Sequence, residues 1–410
     1  VRNTYSKVVS LTHPYTGDPT EFPTGSNPYP GLSFARSSNS ATFLPLNQIV
    51  AFDPNYRWPY SIQLNFGVQQ QLTNSLALSV TYVGSLNRKN PLYNDINGPQ
   101  FNITANNTSG ASCTDLTKAC GYANTSATVN NRRPLNSSFG QSAANPIYSN
   151  VFIIRSNQNS NYNGLQVSLE QRITHHVSAR GYYTWSKSLQ SNALDTTGGL
   201  NGTFVDANFP QLEYRQRSDQ DRRHMMTMSF VWKPNYFDHF NRFTRLTLND
   251  WTVTGIWTAN SGQPFTPTVG TDNYFSGLGN NRPSIVPGKT PHTLPNNSRV
   301  AEMAQWFDTS AYCRPGTDAG CPGLGPLGLL GNTRPAQLDV PGYRNVDASL
   351  FRSFNIRESL AFQLRGEVSN VFNLVNLGTP SAAFNSATYG QITGSGGGQR
   401  VIQIGGRILF

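Results

Sequence analysis

From Tyr60 onward, apolar and polar residues alternate one for one in long runs, the period of a strand with two unlike faces. Between Tyr60 and Leu72, Ile62, Leu64, Phe66, Val68 and Leu72 share one parity, and Gln63, Asn65, Gly67 and Gln69 the other. After Thr73-Asn74-Ser75 the apolar face resumes with Leu76, Leu78, Val80 and Tyr82, which predicts a hairpin over about 60–86. A second hairpin is predicted over 161–188. There Leu165, Val167, Leu169 and Ile173 oppose Gln166, Ser168, Glu170 and Arg172, and Thr174-His175-His176 turns the chain. Gly181, Tyr183 and Trp185 then return opposite Arg180, Tyr182 and Thr184. A third hairpin, 222–260, sets Met226, Met228, Phe230 and Trp232 on one face, with Trp251, Val253 and Trp257 on its second strand. A fourth, 343–372, turns at Asn355–Glu358 and sets Leu360, Phe362, Leu364, Val368 and Phe372 against Gln363, Arg365, Glu367 and Ser369. The closing strand, 400–410, keeps Ile402, Ile404, Gly406, Ile408 and Phe410 on one face, with Gln403, Gly405 and Arg407 on the other.

The connections alternate, mostly short and then always long, as in barrels that separate periplasmic turns from extracellular loops. The pattern predicts an all-β protein, an antiparallel transmembrane β-barrel of about nine to ten strands in the bacterial outer membrane. Residues 1–57, turn-rich with Pro14, Pro19, Pro23, Pro28 and Pro30, read as a long extracellular loop region, and residues 58–410 as barrel. With short turns in the periplasm, the last strand ends there too. Its terminal aromatic, Phe410, is similar to the signal that such barrels present to their insertion machinery. Trp185, Trp232, Trp251 and Trp257 fall at or near strand ends, where an interfacial aromatic girdle belongs. No run is long and apolar enough for a membrane-spanning helix, and a mean hydropathy of -0.43 suits alternating strands with polar loops. A sandwich or propeller would have shorter strands, and no blade-length repeat is visible. An odd strand count that starts in a loop predicts at least one strand before Val1. The lack of an export signal there likewise predicts a fragment or a processed chain.

Charged residues make up 13% of the chain and the formal net charge is +10, but the basic residues are scattered. Nucleic acid is therefore not indicated as a partner, and a positive lumen or loop surface that attracts anionic solutes or lipopolysaccharide is. The cysteines fall as two close pairs, Cys113/Cys120 and Cys313/Cys321, in Gly-, Thr- and Pro-rich sequence. They predict two local disulfides formed in an oxidising compartment, since the spacing does not suit a zinc knuckle and no His lies close. No catalytic, metal or phosphate-loop pattern appears, so neither an enzyme nor a cofactor is expected. His175-His176 reads as a solvated turn, His224 as interfacial, and Gly394–Gly398 leads into a strand rather than a helix. The inward-facing charges Glu170, Arg172, Arg180, Arg365, Glu367 and Arg407 either line a solute path or pair across neighbouring strands and with a plug.

Several blocks carry a family likeness. Trp58 to Leu72 (Trp-Pro-Tyr-Ser-Ile-Gln-Leu-Asn-Phe-Gly-Val-Gln-Gln-Gln-Leu), followed by Val80-Thr81-Tyr82-Val83-Gly84-Ser85, resembles the Oar-like TonB-dependent receptors. So do Asn161-Tyr162-Asn163-Gly164-Leu165-Gln166, the Gly181–Ser188 block, Trp257 to Phe265, Glu367 to Asn373 and the closing Phe410, all in the family's order. The resemblance implies the C-terminal part of a larger plugged barrel, 22-stranded in this transporter class. It also implies uptake of a scarce solute (chelate, oligosaccharide or peptide), energised by the TonB system through an N-terminal part that includes the plug. Signal peptide, TonB box, plug and the first half of the barrel have no counterpart in the sequence. Two other readings stay open: a small complete porin or adhesin-type barrel, and a secreted all-β binding protein.

Overall fold

The computed structural model describes residues 46–100, 123–135, 148–174, 176–191, 216–234, 236, 239–277, 281–296, 298–325, 327–357 and 360–410. Its strands are β1 (Leu46–Phe52), β2 (Tyr60–Gln71), β3 (Leu76–Asp95), β4 (Tyr148–Thr174), β5 (Val177–Gln190), β6 (Gln216–Arg217), β7 (His224–Trp232) and β8 (Trp251–Asn260). Beyond these lie β9 (Pro264–Phe265), β10 (Ser284–Ile285), β11 (Tyr312–Cys313), β12 (Leu338–Asp339), β13 (Tyr343–Arg357), β14 (Leu360–Ser369) and β15 (Val401–Leu409). Two short helices, α1 (Arg242–Leu248) and α2 (Arg299–Ala304), lie in connections. The described residues fall into two compact units. One lies within Val1–Tyr56, Leu92–Arg155 and Phe275–Leu278, the other within Arg57–Pro91, Ser156–Tyr274 and Gly279–Phe410.

In the second unit the long strands form one meander, in the order β15-β14-β13-β8-β7-β5-β4-β3-β2. The meander follows from the alternation. Each strand has one apolar parity, and only a register that keeps all apolar parities on one face buries them together. The register does so without a break. Ile404 lies opposite Gly366, Gly366 opposite Leu350, Leu350 opposite Val253, Val253 opposite Trp232, and Trp232 opposite Val177. Two rows further along the same face lie Ile408, Phe362 and Phe354. The apolar face nevertheless stays open to its surroundings, with Ile404, Phe66 and Ile402 among the most exposed side chains.

At the edges of the sheet, β2 and β15 are exposed along nearly their whole length, and neither has a second partner among the described residues. On the short-connection side two residues separate β4 from β5 and two separate β13 from β14, and α1 occupies the link from β7 to β8. Between β13 and β14 the ladder slips between Asn355 and Arg357, so β13 continues to Arg357. Asn355, Ile356 and Arg357, read from the sequence as part of the turn Asn355–Glu358, therefore belong to the strand, because a bulge lets an extra residue into it.

The first unit holds a strand within the stretch read as a long loop region, residues 1–57. Residues 46–52 form β1, which pairs in parallel with β4: Ile49 with Val151, Val50 with Phe152, Ala51 with Ile153, Phe52 with Ile154. Two short apolar runs mate there, too brief and too near prolines to read as strands in isolation. Residues 1–45 lie outside the described residues. The first unit also buries Arg133 and Asp95 as an ion pair at 3.0 Å, with side chains 1% and 6% exposed. Arg133 donates as well to the Asn97 carbonyl at 2.6 Å, and Asp95 accepts from the Val151 N–H at 3.1 Å and from Asn150 at 2.8 Å. Both charges thus have several hydrogen-bond partners, the condition under which a buried pair is tolerated. The strands also outrun the predicted hairpins, since β3 extends to Asp95 and β4 begins at Tyr148. Their added lengths, largely polar in β3 and mixed in β4, do not alternate, so the periodicity hid them.

Candidate functional site

The polar face of the sheet carries the charges singled out in the sequence, and the register decides whether they converge. Glu170 on β4 lies opposite Arg180 on β5, and the two form an ion pair at 2.9 Å. Arg365 and Glu367, two apart on β14 and so on one face, pair at 3.1 Å, and the Arg365 guanidinium lies over the Phe351 ring, 5.4 Å from its centroid. Glu367 faces Ser349 and Gln403, while Arg407 faces Gln363. Arg172 sits at the turn end of β4, where its backbone N–H donates to the Ser75 carbonyl at 2.7 Å. The structure therefore brings four of these six together as two local pairs along the sheet, and the six do not form one cluster. No group of His, Cys, Asp or Glu with metal-binding geometry occurs among the described residues.

His176 packs edge-on against Tyr236, with ring centroids 5.6 Å apart, and His175 lies outside the described residues. Phe410 follows β15 with its ring 99% exposed, on the parity of Ile404 and Ile408.

Two motif blocks that read separately in the sequence meet in space. The Tyr82 hydroxyl on β3 donates to Asn163 Oδ1 on β4 at 2.6 Å. Tyr82 also lies over Gly84, and Tyr162 over Gly164: a Cβ added at either glycine would come within 2.9 or 2.7 Å of the tyrosine oxygen. The Tyr-x-Gly spacing common to both blocks was the signal available for this contact.

The long connections hold more structure than their composition suggested. Residues from 261–342 and 370–400 build one small core of Trp306, Phe307, Ala311, Tyr312, Leu338 and Ile392. Phe307 is its centre, 0% exposed, with the rings of Phe265, Tyr312 and Tyr389 at 5.5, 6.1 and 5.3 Å. Burial pushes the Tyr312 and Tyr389 hydroxyls well above the ordinary phenol range. Cys313 and Cys321 are joined by a disulfide, and Cys113 and Cys120 lie outside the described residues. Inside the loop that the disulfide closes, Arg314 donates to Asp318 at 2.7 Å, and this hydrogen bond holds the Asp318 carboxyl below its ordinary value.

A cavity of about 740 Å3 lies where these connections meet the sheet. Its floor is one row of the apolar face: Tyr183 opposite Met226, Met226 opposite Ala259, and Ala259 opposite Arg344. Its walls include Arg299 and Glu302 of α2, Trp306, and Asn376. His224 stands at one end, its Nδ1 2.7 Å from the Tyr183 hydroxyl.

A nine-strand antiparallel meander with one continuous apolar face, a polar face of local charge pairs and long connections at one end is the wall of a membrane-spanning β-barrel. Comparison with protein families agrees: the model of the outer membrane beta barrel domain matches residues 2–403, and the chain belongs to this family. Its place is the bacterial outer membrane. Among solved structures, it is similar to the outer membrane transporter YddB from Escherichia coli, with 9% identity and a TM-score of 0.42, over 88% of this chain and 34% of that one. It is also similar to BauA, the ferric preacinetobactin receptor from Acinetobacter baumannii, with 10% identity and a TM-score of 0.36, over 85% and 29%. A third is the ferripyoverdine receptor of the outer membrane of Pseudomonas aeruginosa, with 10% identity and a TM-score of 0.34, over 86% and 27%. The chain thus spans about a third or less of the length of these proteins. No curated protein matches it.

Proposed function

We propose that this sheet is part of the wall of a TonB-dependent outer-membrane receptor, a plugged barrel that takes up a scarce solute such as a chelate, an oligosaccharide or a peptide. The carrying observation is that β2 and β15 both lack a second strand among the described residues. Each unpaired N–H and C=O of an edge in hydrocarbon costs several kcal/mol, on the order of 2–7 for an amide group, so the edges demand further strands. A small complete porin or adhesin barrel would pair its first and last strands; a wide receptor barrel supplies the missing neighbours. The ordered sequence blocks that resemble the Oar-like receptors support the same choice. In this reading the charge pairs on the polar face, Glu170–Arg180 and Arg365–Glu367, hold the wall against a plug, and the structured long connections contribute solute contacts. Phe410 serves barrel insertion, and catalysis has no part.

The test uses the full-length protein in its own cell. Ferric chelates, oligosaccharides and peptides are screened for uptake that depends on the gene, and the proton gradient is then dissipated. Uptake should stop. Uptake that continues at an unchanged rate without energy would replace the receptor with a passive pore.

A further inference from the structure

The cavity above the Tyr183–Met226–Ala259–Arg344 row lies on the opposite side of the wall from a solute crossing a barrel interior. Its floor belongs to the apolar face, in register with Phe230, Trp257 and Leu350. It also sits at the end from which the long connections leave, and in an outer-membrane barrel that end is extracellular. The cavity therefore opens at the border between outer-leaflet hydrocarbon and headgroups. We propose that it holds the phosphorylated headgroup of an outer-leaflet glycolipid of the lipopolysaccharide class.

The charges fit such a group. Arg299 and Arg344 both line the cavity, both are exposed, and neither makes an ion pair among the described residues. The acid in the wall, Glu302, already accepts from the Asn296 N–H at 3.1 Å. Guanidinium groups match phosphate oxygens with two parallel N–H donors, which an ammonium cannot do. Arg344 is held in place for this role: Asn376 accepts from its N–H at 2.7 Å and donates to its carbonyl at 2.8 Å.

The surroundings favour a lipid over a free anion. Val300, next to Arg299 on α2, is 78% exposed, and Val375 in the cavity wall is 46% exposed. Apolar side chains in such positions are stable against acyl chains and costly against water. A free anion would make no use of them. Below the floor the apolar face continues through Met228 and Phe230, so a headgroup in the cavity would leave its chains along lipid-facing surface.

The experiment takes full-length protein purified from outer membrane and measures binding of bisphosphorylated lipid A in detergent by native mass spectrometry. The combined variant Arg299→Gln/Arg344→Gln should bind roughly tenfold or more weakly, since two charge-assisted hydrogen-bonding groups are lost. Arg334→Gln, in the same connection but outside the cavity wall, should bind as the unaltered protein does. Inorganic phosphate at equal concentration should not compete. Undiminished lipid A binding by a combined variant whose gel migration still shows a folded barrel would overturn the proposal. So would displacement of lipid A by inorganic phosphate, which would mark a site for a free anion. If the combined variant does not fold, Arg299→Glu on the exposed helix is read instead and must also weaken binding. The inference rests on the outer-membrane placement and not on solute uptake. Energy-independent lipid binding can fail with uptake intact, or persist with uptake lost.

Discussion

Tyr82 is a small instance of how residues in this wall act in pairs. Its ring covers Gly84, where a side chain would have no room, and its hydroxyl reaches across to Asn163 on the next strand. Gly84→Val should push the ring off its seat and break that bond, at a cost of about 1–3 kcal/mol, as overpacking does. Tyr82→Phe should cost less, about 1 kcal/mol for one hydrogen bond. Urea unfolding in bilayers, followed by loss of compact gel migration, gives both values. A Tyr82→Phe effect as large as that of Gly84→Val would show that the ring contact contributes nothing. The sequence displayed Tyr82-Val83-Gly84 and Tyr162-Asn163-Gly164 as similar blocks, but their reason was not legible there. It depends on which strands are neighbours and in what register. The same holds for Glu170 and Arg180: parity put both on the polar face, and only the pairing of β4 with β5 set them opposite each other.

Among the elements, the strands were legible because alternation is local, whereas the core of the long connections was not. Phe307, Tyr312, Leu338 and Ile392 follow no period and come from two separate connections, so nothing in any short window announces that they meet. β1 escaped for a related reason, since its partner β4 lies far along the chain. The disulfide loop in the first of these connections yields a prediction with a definite sign. Asp318 is held below its ordinary value by hydrogen bonds from Arg314, so its folded pKa lies below the unfolded one. The contribution of this contact is present above the usual carboxylate pKa of about 4 and is lost as pH falls through the lower folded value. Hydrogen exchange in residues 313–321 should be level, after correction for the intrinsic rate, from neutral pH down to about 5 and rise in stronger acid. Asp318→Asn should show the raised exchange throughout. Flat exchange across the whole range would mean that this partly exposed pair adds nothing, as many surface pairs do.

For the whole molecule, the two faces of the sheet make a statement about the bilayer that fluorescence can check. Trp232 and Trp257 lie on the apolar face, while Trp306 sits in the core of the connections with its Nε1–H donated to the Asp339 carbonyl at 2.7 Å. In bilayers whose acyl chains carry bromine at mid-chain, variants of the full-length protein that keep only Trp232 or only Trp257 should be strongly quenched. A variant that keeps only Trp306 should not be. Equal quenching of Trp306 and Trp257 would put the wrong face toward lipid. At this scale the strand count was readable from the alternating runs, but closure was not. Whether an edge finds a partner is a property of pairing, and β2 reads the same with one neighbour or two.

Arg352 lies on the apolar face at the short-connection end, its guanidinium 4.8 Å from the Phe354 ring and 6.0 Å from the Trp251 ring, with Asp250 at 3.7 Å. Along β8, the stretch from Trp251 to Ala259 separates this cation from Arg344 at the other border. At about 3.4 Å per residue and a tilt of 35–45°, that interval stands roughly 20 Å tall. Two arginines thus act as fixed marks on a gauge, and neither can slide into hydrocarbon. Such a wall fits a thin bilayer, and the outer membrane is thinner than most. In a thicker one the surrounding lipid must compress or the wall must lean, so the spacing of two side chains ties this wall to one thickness of membrane.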